Sequence, residues 1–231
     1  MANYVSSQTA SQSAASTLLK SVYMQMAAAL TVTGLVAYFL SESPLFWQTL
    51  AESPSLIWIL FIAQIGLVIW ISARLYAMSM TTATLLFIVY SALMGVTMSS
   101  IFMLYTMTSI ASVFFITAGT FLAMSLVGYF TRIDLSRLRS IFIMGLIGMI
   151  IATVVNIFLQ SEMLYWIVSY AGVLIFVGLT AYDTQKIKQM VIEHGSVDEM
   201  GYKLALYGAL NLYLDFVNLF LYLLRIFGDR K

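Results

Sequence analysis

The chain has 231 residues, of which 61% are hydrophobic and 9% charged, with a formal net charge of +1. Soluble domains run at roughly 45–50% apolar and 25% charged residues, so this composition excludes a fold stable in water. The near-neutral balance supplies no steering field and excludes nucleic acid as an expected partner. The lack of cysteine removes disulfides, thiol catalysis and Cys-ligated metals.

The first 20 residues, MANYVSSQTASQSAASTLLK, are rich in Ser, Ala, Thr and Gln. They lack the basic start, short apolar core and small-residue cleavage site of a secretory signal. The composition predicts a flexible, uncleaved tail over 1–20, ahead of a single membrane domain over 21–231. A membrane span needs about 20 mostly apolar residues, because a rise of about 1.5 Å per residue must cross about 30 Å of hydrocarbon. Seven segments qualify, over 21–40, 55–73, 81–105, 109–130, 140–160, 163–183 and 204–227. They predict an all-α integral membrane protein, a bundle of seven transmembrane helices.

Orientation follows from the basic residues of the short loops. Lys20, Arg74, Arg132, Arg137, Arg139, Lys186, Lys188 and Lys203 fall on one side, whereas the alternate loops SESPLFWQTLAESP, TMT and SEM contain no Lys or Arg. The N-terminus is therefore expected in the cytoplasm. Seven crossings send the C-terminus to the other side, yet RIFGDRK carries Arg225, Arg230 and Lys231. Either that tail tolerates the less basic side, or the seventh helix enters the membrane and returns without a full crossing.

Both prolines, Pro44 and Pro54, lie in the first outer loop, so no span is kinked by proline. No two glycines stand at GxxxG spacing, and Gly145, Gly148, Gly172 and Gly178 are read as points of close helix approach. Trp47, Trp58, Trp70 and Trp166 lie near span ends, where interfacial aromatics collect. The cluster RIDLSRLR reads as an ordinary basic inner loop able to touch anionic lipid. The single histidine, His194, falls in a polar loop beside Glu193 and Asp198.

The phosphate-binding GxxxxGK[ST], the dinucleotide-binding GxGxxG, the zinc HExxH and the nucleophile elbow GxSxG are all absent. With one His and no Cys, a nucleophilic triad has little to be built from. Two aspartates remain at membrane depth: Asp183 in LTAYDTQKIK and Asp215 in LNLYLDFVNLFLYLLR. A charge there costs at least about 2.5–3.5 kcal/mol, so such residues face protein or water and usually mark a functional pathway. Asn211, Asn218 and Tyr222 stand at steps of three or four from Asp215, with Gly208, and form one polar stripe. Phe216, Leu219, Phe220 and Leu223 cover the rest of that helix.

Two carboxylates meeting in a low dielectric share a proton, which makes the pair sensitive to pH and able to hold or release Ca²⁺. The plainer alternative is that Asp183 is an interfacial residue solvated by headgroup water. The predicted boundaries place Asp215 about 16 Å deep and Asp183 at the surface. The pair closes only if the sixth helix runs on past Asp183 or the seventh begins after Leu204.

On these motifs the chain resembles the bacterial branch of the Bax inhibitor-1 (transmembrane Bax inhibitor motif) family. The carriers are YSALMGVTMSSIFMLYTMTSIASVFFITAGTFLAMSLVGYFTRIDLS, GLIGMIIATVVNIFLQ, GLTAYDTQKIK and LNLYLDFVNLFLYLLR. The resemblance implies a seven-helix bundle with the seventh helix central, and a pH-sensitive Ca²⁺ leak across the bacterial inner membrane. It also implies a sensor made by the sixth- and seventh-helix aspartates, here Asp183 and Asp215. An arginine of the second helix latches the closed state in that picture; Arg74 is the only basic candidate here. The family differs from this chain in commonly carrying proline in the third-helix motif, where Ser99 and Ser100 stand.

Three functions compete. The first is the leak channel, with membrane lipids and Ca²⁺ as partners and no bound cofactor. The second is a regulator of a membrane-anchored AAA protease, a role that some bacterial relatives resemble, with the N-terminal tail as handle. The third is an intramembrane aspartyl protease, because Tyr182 and Asp183 reproduce a YD motif. That enzyme also requires GxGD, where this chain reads LYLD, and a proline-containing element near the C-terminus that is missing. A non-enzymatic role is therefore expected.

Overall fold

A computed structural model describes residues 2–231, with side chains from residue 13 onward. Eight α-helices follow one another: α1 (Ala2–Ser41), α2 (Pro44–Glu52), α3 (Ser55–Arg74), α4 (Met80–Leu104), α5 (Met107–Phe130), α6 (Arg139–Leu159), α7 (Glu162–His194) and α8 (Glu199–Phe227). No strand occurs among the described residues. Seven helices, all but α2, are long and apolar enough to cross a membrane. The protein is an all-α membrane protein with seven spans, as composition and span length predict.

The turns between helices are punctuated by capping side chains. The first N–H groups of a helix have no partner within it, and a side-chain oxygen at the cap supplies one. Ser43 accepts from the Phe46 N–H, Ser79 from Thr82, Thr106 from Ser109 and Ser161 from Leu164. At the start of α8, Asp198 Oδ1 accepts from the Gly201 N–H at 2.7 Å. Gln160 ends α6 in the left-handed region at φ 48°, ψ 34°.

Four expectations move. Residues 13–20, assigned by composition to a tail, form early turns of α1, and Ala14, Ala15, Leu18 and Leu19 are buried. Their small and apolar residues recur at helical spacing among the polar ones, a period that bulk composition conceals. The first outer loop holds α2, which Ser43 caps with Pro44 at its first position, where the missing N–H of proline has no consequence. The sixth span does not stop at Asp183: α7 continues to His194, so that histidine ends a helix. Finally, α8 begins at Glu199, before Leu204.

The chain forms two compact units, one of Met1–Tyr105, Met190–Tyr213 and Lys231, the other of Thr106–Gln189 and Leu214–Arg230. In the first, α4 packs against both α1 and α3. Tyr213 is its most enclosed large side chain, edge-on to Phe87 and Tyr90 at 5.7 and 6.0 Å. The Tyr213 hydroxyl meets Thr33 Oγ1 at 2.7 Å, and Thr33 Oγ1 lies 2.8 Å from the Ser91 carbonyl. A buried hydroxyl in this position needs such partners, since nothing else compensates its lost hydration.

In the second unit Phe216 lies edge-on to Phe114 and Phe121 at 5.5 and 5.4 Å, and Tyr222 stacks on Phe176 at 5.8 Å. Close approach depends on glycine where predicted at Gly145, Gly172 and Gly178: a methyl would meet Ile175, the Tyr222 ring and the Phe142 ring. Gly148 is different, because a methyl there meets nothing within 4 Å. It points into open space on α6, most of whose side chains are exposed, as lipid contact demands.

The most buried span is α8. Its predicted polar stripe is not singled out by exposure: Asn211, Asn218 and Tyr222 are half-buried, while Phe216, Leu219 and Leu223 are buried too. The helix is unbroken over 29 residues, about 43 Å at 1.5 Å per residue, enough for a full crossing. Beyond its end, the Thr106 N–H donates to the Asp229 carbonyl at 3.1 Å, and the Lys231 N–H donates to the Leu104 carbonyl at 3.0 Å. The basic C-terminus therefore lies beside the α4–α5 turn, one of the loops without Lys or Arg.

Candidate functional site: a buried pair of carboxyl groups

Asp183 and Asp215 meet. The two side chains lie within hydrogen-bonding reach of each other in the second unit. Asp215 is 5% exposed, and its Oδ2 has no hydrogen-bond partner among the N–H and O–H groups of the described residues. Its neighbour is another carboxyl group, and two ionised carboxylates have no donor between them. The contact becomes a hydrogen bond only when one of the two carries a proton.

Local sequence explains how Asp183 is held. The helix does not end at this residue, so Asp183 is presented from a rigid backbone rather than from a fraying terminus. Residues on either side of that level tie α7 to α5 and the loop after it. Thr184 Oγ1 reaches Ser125 Oγ at 3.4 Å, and Gln185 Nε2 donates to the Ile133 carbonyl at 2.8 Å while its Oε1 accepts from the Leu135 N–H at 2.8 Å. Lys188 Nζ donates to the Tyr129 carbonyl at 2.7 Å, close to the C-terminal end of α5, where a cation complements the helix dipole. Two residues before Asp183, the Ala181 carbonyl abuts Gly128 so closely that no side chain fits there.

Gln185, Thr184 and Lys188 are the positioning residues that sequence reasoning missed. Their signal was polar character continuing at helical spacing beyond the apolar segment. Lys186, one turn beyond Asp183, is the charged group that acts on it. Asp183 is half-buried, and Thr184 and Gln185 beside it are buried.

The other predicted residues are placed as follows. Asn218 Nδ2 donates to the Leu214 carbonyl of its own helix at 2.8 Å, and Tyr222 packs on Phe176 and Gly172. Asn211 is half-buried in the first unit. Arg74 ends α3 and is exposed. No group of three or more His, Cys, Asp or Glu side chains able to hold a metal occurs among the described residues.

A second polar cluster lies in the turn between α7 and α8. His194 Nε2 and Asp198 Oδ1 are 2.7 Å apart, and Ser196 Oγ donates to Asp198 Oδ2 at 2.9 Å. The Gly201 N–H above all, then His194 and Ser196, hold the Asp198 carboxyl down at about 2. Ser196 and Asp198 both approach the same imidazole nitrogen, so the three do not form a relay in which histidine bridges serine and carboxylate. The cluster is a capping device for α8.

Comparison with known proteins agrees with the motifs. The profile of the family described as "Inhibitor of apoptosis-promoting Bax1" matches residues 15–231. The chain is 48% identical over 216 residues to the inner membrane protein YbhL of Escherichia coli, covering 93% of this chain and 92% of that one. It is 46% identical over 213 residues to a protein of Borreliella burgdorferi, covering 92% of each, and 36% identical over 214 residues to one of Deinococcus radiodurans, covering 93% and 91%. Seven spans, the helix-borne aspartates and a match along nearly the whole chain converge: the protein is a multi-pass member of the Bax inhibitor family.

Proposed function

We propose that this protein is a pH-sensitive, Ca²⁺-permeable leak pathway of the bacterial inner membrane, gated by protonation of the Asp183 and Asp215 pair. The observation that carries the reading is the buried carboxyl–carboxyl contact, which needs a proton to hold. Loss of that proton leaves two like charges in contact inside a membrane helix pair, and repulsion favours a different packing of α7 and α8. The inner-membrane location follows the similarity to YbhL. Calcium is cargo here: it takes about six to eight oxygen ligands, and two carboxylates supply too few to retain it, which suits passage better than storage. Arg74 is the proposed latch of the closed state: it pairs with the aspartates when both are ionised, and the proton that joins the two carboxyl groups releases it.

Reconstitution into proteoliposomes with a Ca²⁺ reporter tests this. The wild type is expected to change its Ca²⁺ flux as pH is varied around neutrality, and Asp215→Asn to show flux without that dependence. Arg74→Ala is expected to leak at pH values where the wild type is closed. A pH profile that survives in Asp215→Asn overturns the gating assignment.

A further inference from the structure

A cavity of about 600 Å³ opens at the C-terminal end of α8, where it meets the turn between α6 and α7. Its volume falls within the roughly 300–1,000 Å³ typical of small-ligand sites. The charged residues lining it are Arg225, Arg230 and Glu162, a surplus of one positive charge. Both guanidinium groups converge on one ring: Arg225 and Arg230 each lie 5.8 Å from the centre of Tyr165. Arg230 also donates to the Tyr165 hydroxyl at 2.9 Å, and Arg225 stands 5.1 Å over Tyr222.

This convergence is built rather than incidental. The Asp229 N–H donates to Ser109 Oγ at 2.9 Å and the Asp229 carbonyl accepts from Thr106, which pins the chain just before Arg230. With two guanidinium groups on one tyrosine, the lining of the cavity is cationic, which suits an anionic ligand. Guanidinium is also the side chain whose planar fork matches phosphate oxygens two at a time. The same arrangement gives Arg225 and Arg230 partners beside the α6–α7 turn, which itself carries no Lys or Arg.

We infer that this cavity binds a phosphate ester, and specifically the headgroup phosphate of a membrane glycerophospholipid. The lipid source follows from the surroundings. Phe158 and Leu159 at the end of α6 and Met163 at the start of α7, which flank the lining residues Gln160, Ser161 and Glu162 in sequence, are strongly exposed, Phe158 to 82%, and such apolar neighbours suit acyl chains. Trp166, which lines the cavity and stacks on Tyr170, stands one turn into α7, near a span end, where interfacial aromatics collect. Glu162, an exposed member of the lining, can accept from hydroxyl or ammonium groups of the headgroup.

Native mass spectrometry of the full chain in detergent, with phosphatidylglycerol, the matching diacylglycerol and glycerol 3-phosphate as probes, tests the site. The wild type is expected to retain phosphatidylglycerol and to release diacylglycerol. The double variant Arg225→Gln/Arg230→Gln should retain about tenfold less, as expected when charge-assisted bonds are lost. Arg137→Gln, two residues before the start of α6 and away from the cavity lining, should be unaffected. If the double variant does not elute as a folded species, Arg230→Gln alone decides, since this exposed tail residue is not needed to pack a helix. Equal phosphatidylglycerol retention by wild type and variant overturns the site. Diacylglycerol retained as well as phosphatidylglycerol also overturns it, and glycerol 3-phosphate that binds and displaces the lipid overturns the lipid assignment in favour of a soluble phosphate.

Discussion

Asp183 of α7 and Asp215 of α8 face each other across two long helices, and the hydrogen-bonding neighbour of the buried Asp215 carboxyl group is the Asp183 carboxyl group. A pair of this kind depends on a single proton, which places protonation and helix packing under one control. The variants at this position separate the proton from the packing. Asp215→Asn keeps a donor toward Asp183 and is expected to melt within about 1 kcal/mol of the wild type in detergent. Asp215→Leu removes the partner and leaves Asp183 enclosed without a donor, costing about 1–3 kcal/mol. Thermal unfolding followed by size exclusion or intrinsic fluorescence distinguishes them, and an Asn variant as damaged as the Leu variant would show that the contact is not a proton-mediated bond.

The approach of α5 to α7 depends on Gly128. A methyl group there runs into the Ala181 carbonyl, a backbone atom that cannot turn aside, whereas a methyl at Gly148 meets nothing within 4 Å. Gly128→Ala is predicted to lose about 1–3 kcal/mol by overpacking and to disturb the setting of Asp183. Gly148→Ala is predicted to be neutral or to gain up to about 1 kcal/mol from its better helix propensity. Paired melting curves of the two variants check the contrast.

The cap of α8 gives a pH window of its own. The Asp198 carboxyl titrates at about 2 when folded, below its ordinary 3.8, because the Gly201 N–H, His194 and Ser196 favour its ionised form. Its stabilising effect is therefore complete above pH 3.8 and is lost as pH falls through about 2. Asp198→Ala is expected to melt below the wild type at neutral pH, and the gap is expected to close as pH is lowered from about 5 to about 2. A gap that stays constant over this range would remove the capping carboxylate from the account. Asp198→Asn, which retains an acceptor, should melt nearer the wild type at neutral pH.

Much of this protein is legible from one dimension. The hydrocarbon thickness sets a length of apolar sequence, and each span satisfies its backbone internally, so seven segments and an all-α fold follow from local composition. The cost of an acid at membrane depth singles out Asp215 by the same reasoning, because few residues compete with it.

What remained undecided depended on partners distant in the chain. Apolar character fades at Asp183, but α7 persists to His194 because Thr184, Gln185 and Lys188 find bonds on α5 and its following loop. That extension makes Asp183 part of a helix interior, able to meet Asp215 even though α8 begins at Glu199. Likewise the basic C-terminal residues opposed the charge rule until contacts to Ser109, Thr106 and Tyr165 showed what receives them. Sequence by itself determined which segments enter the bilayer, since that depends on transfer of each segment from water to lipid. Only the tertiary structure decided where the polar helix ends stop and which carboxyl groups touch, since those depend on side chains that the chain brings together after insertion.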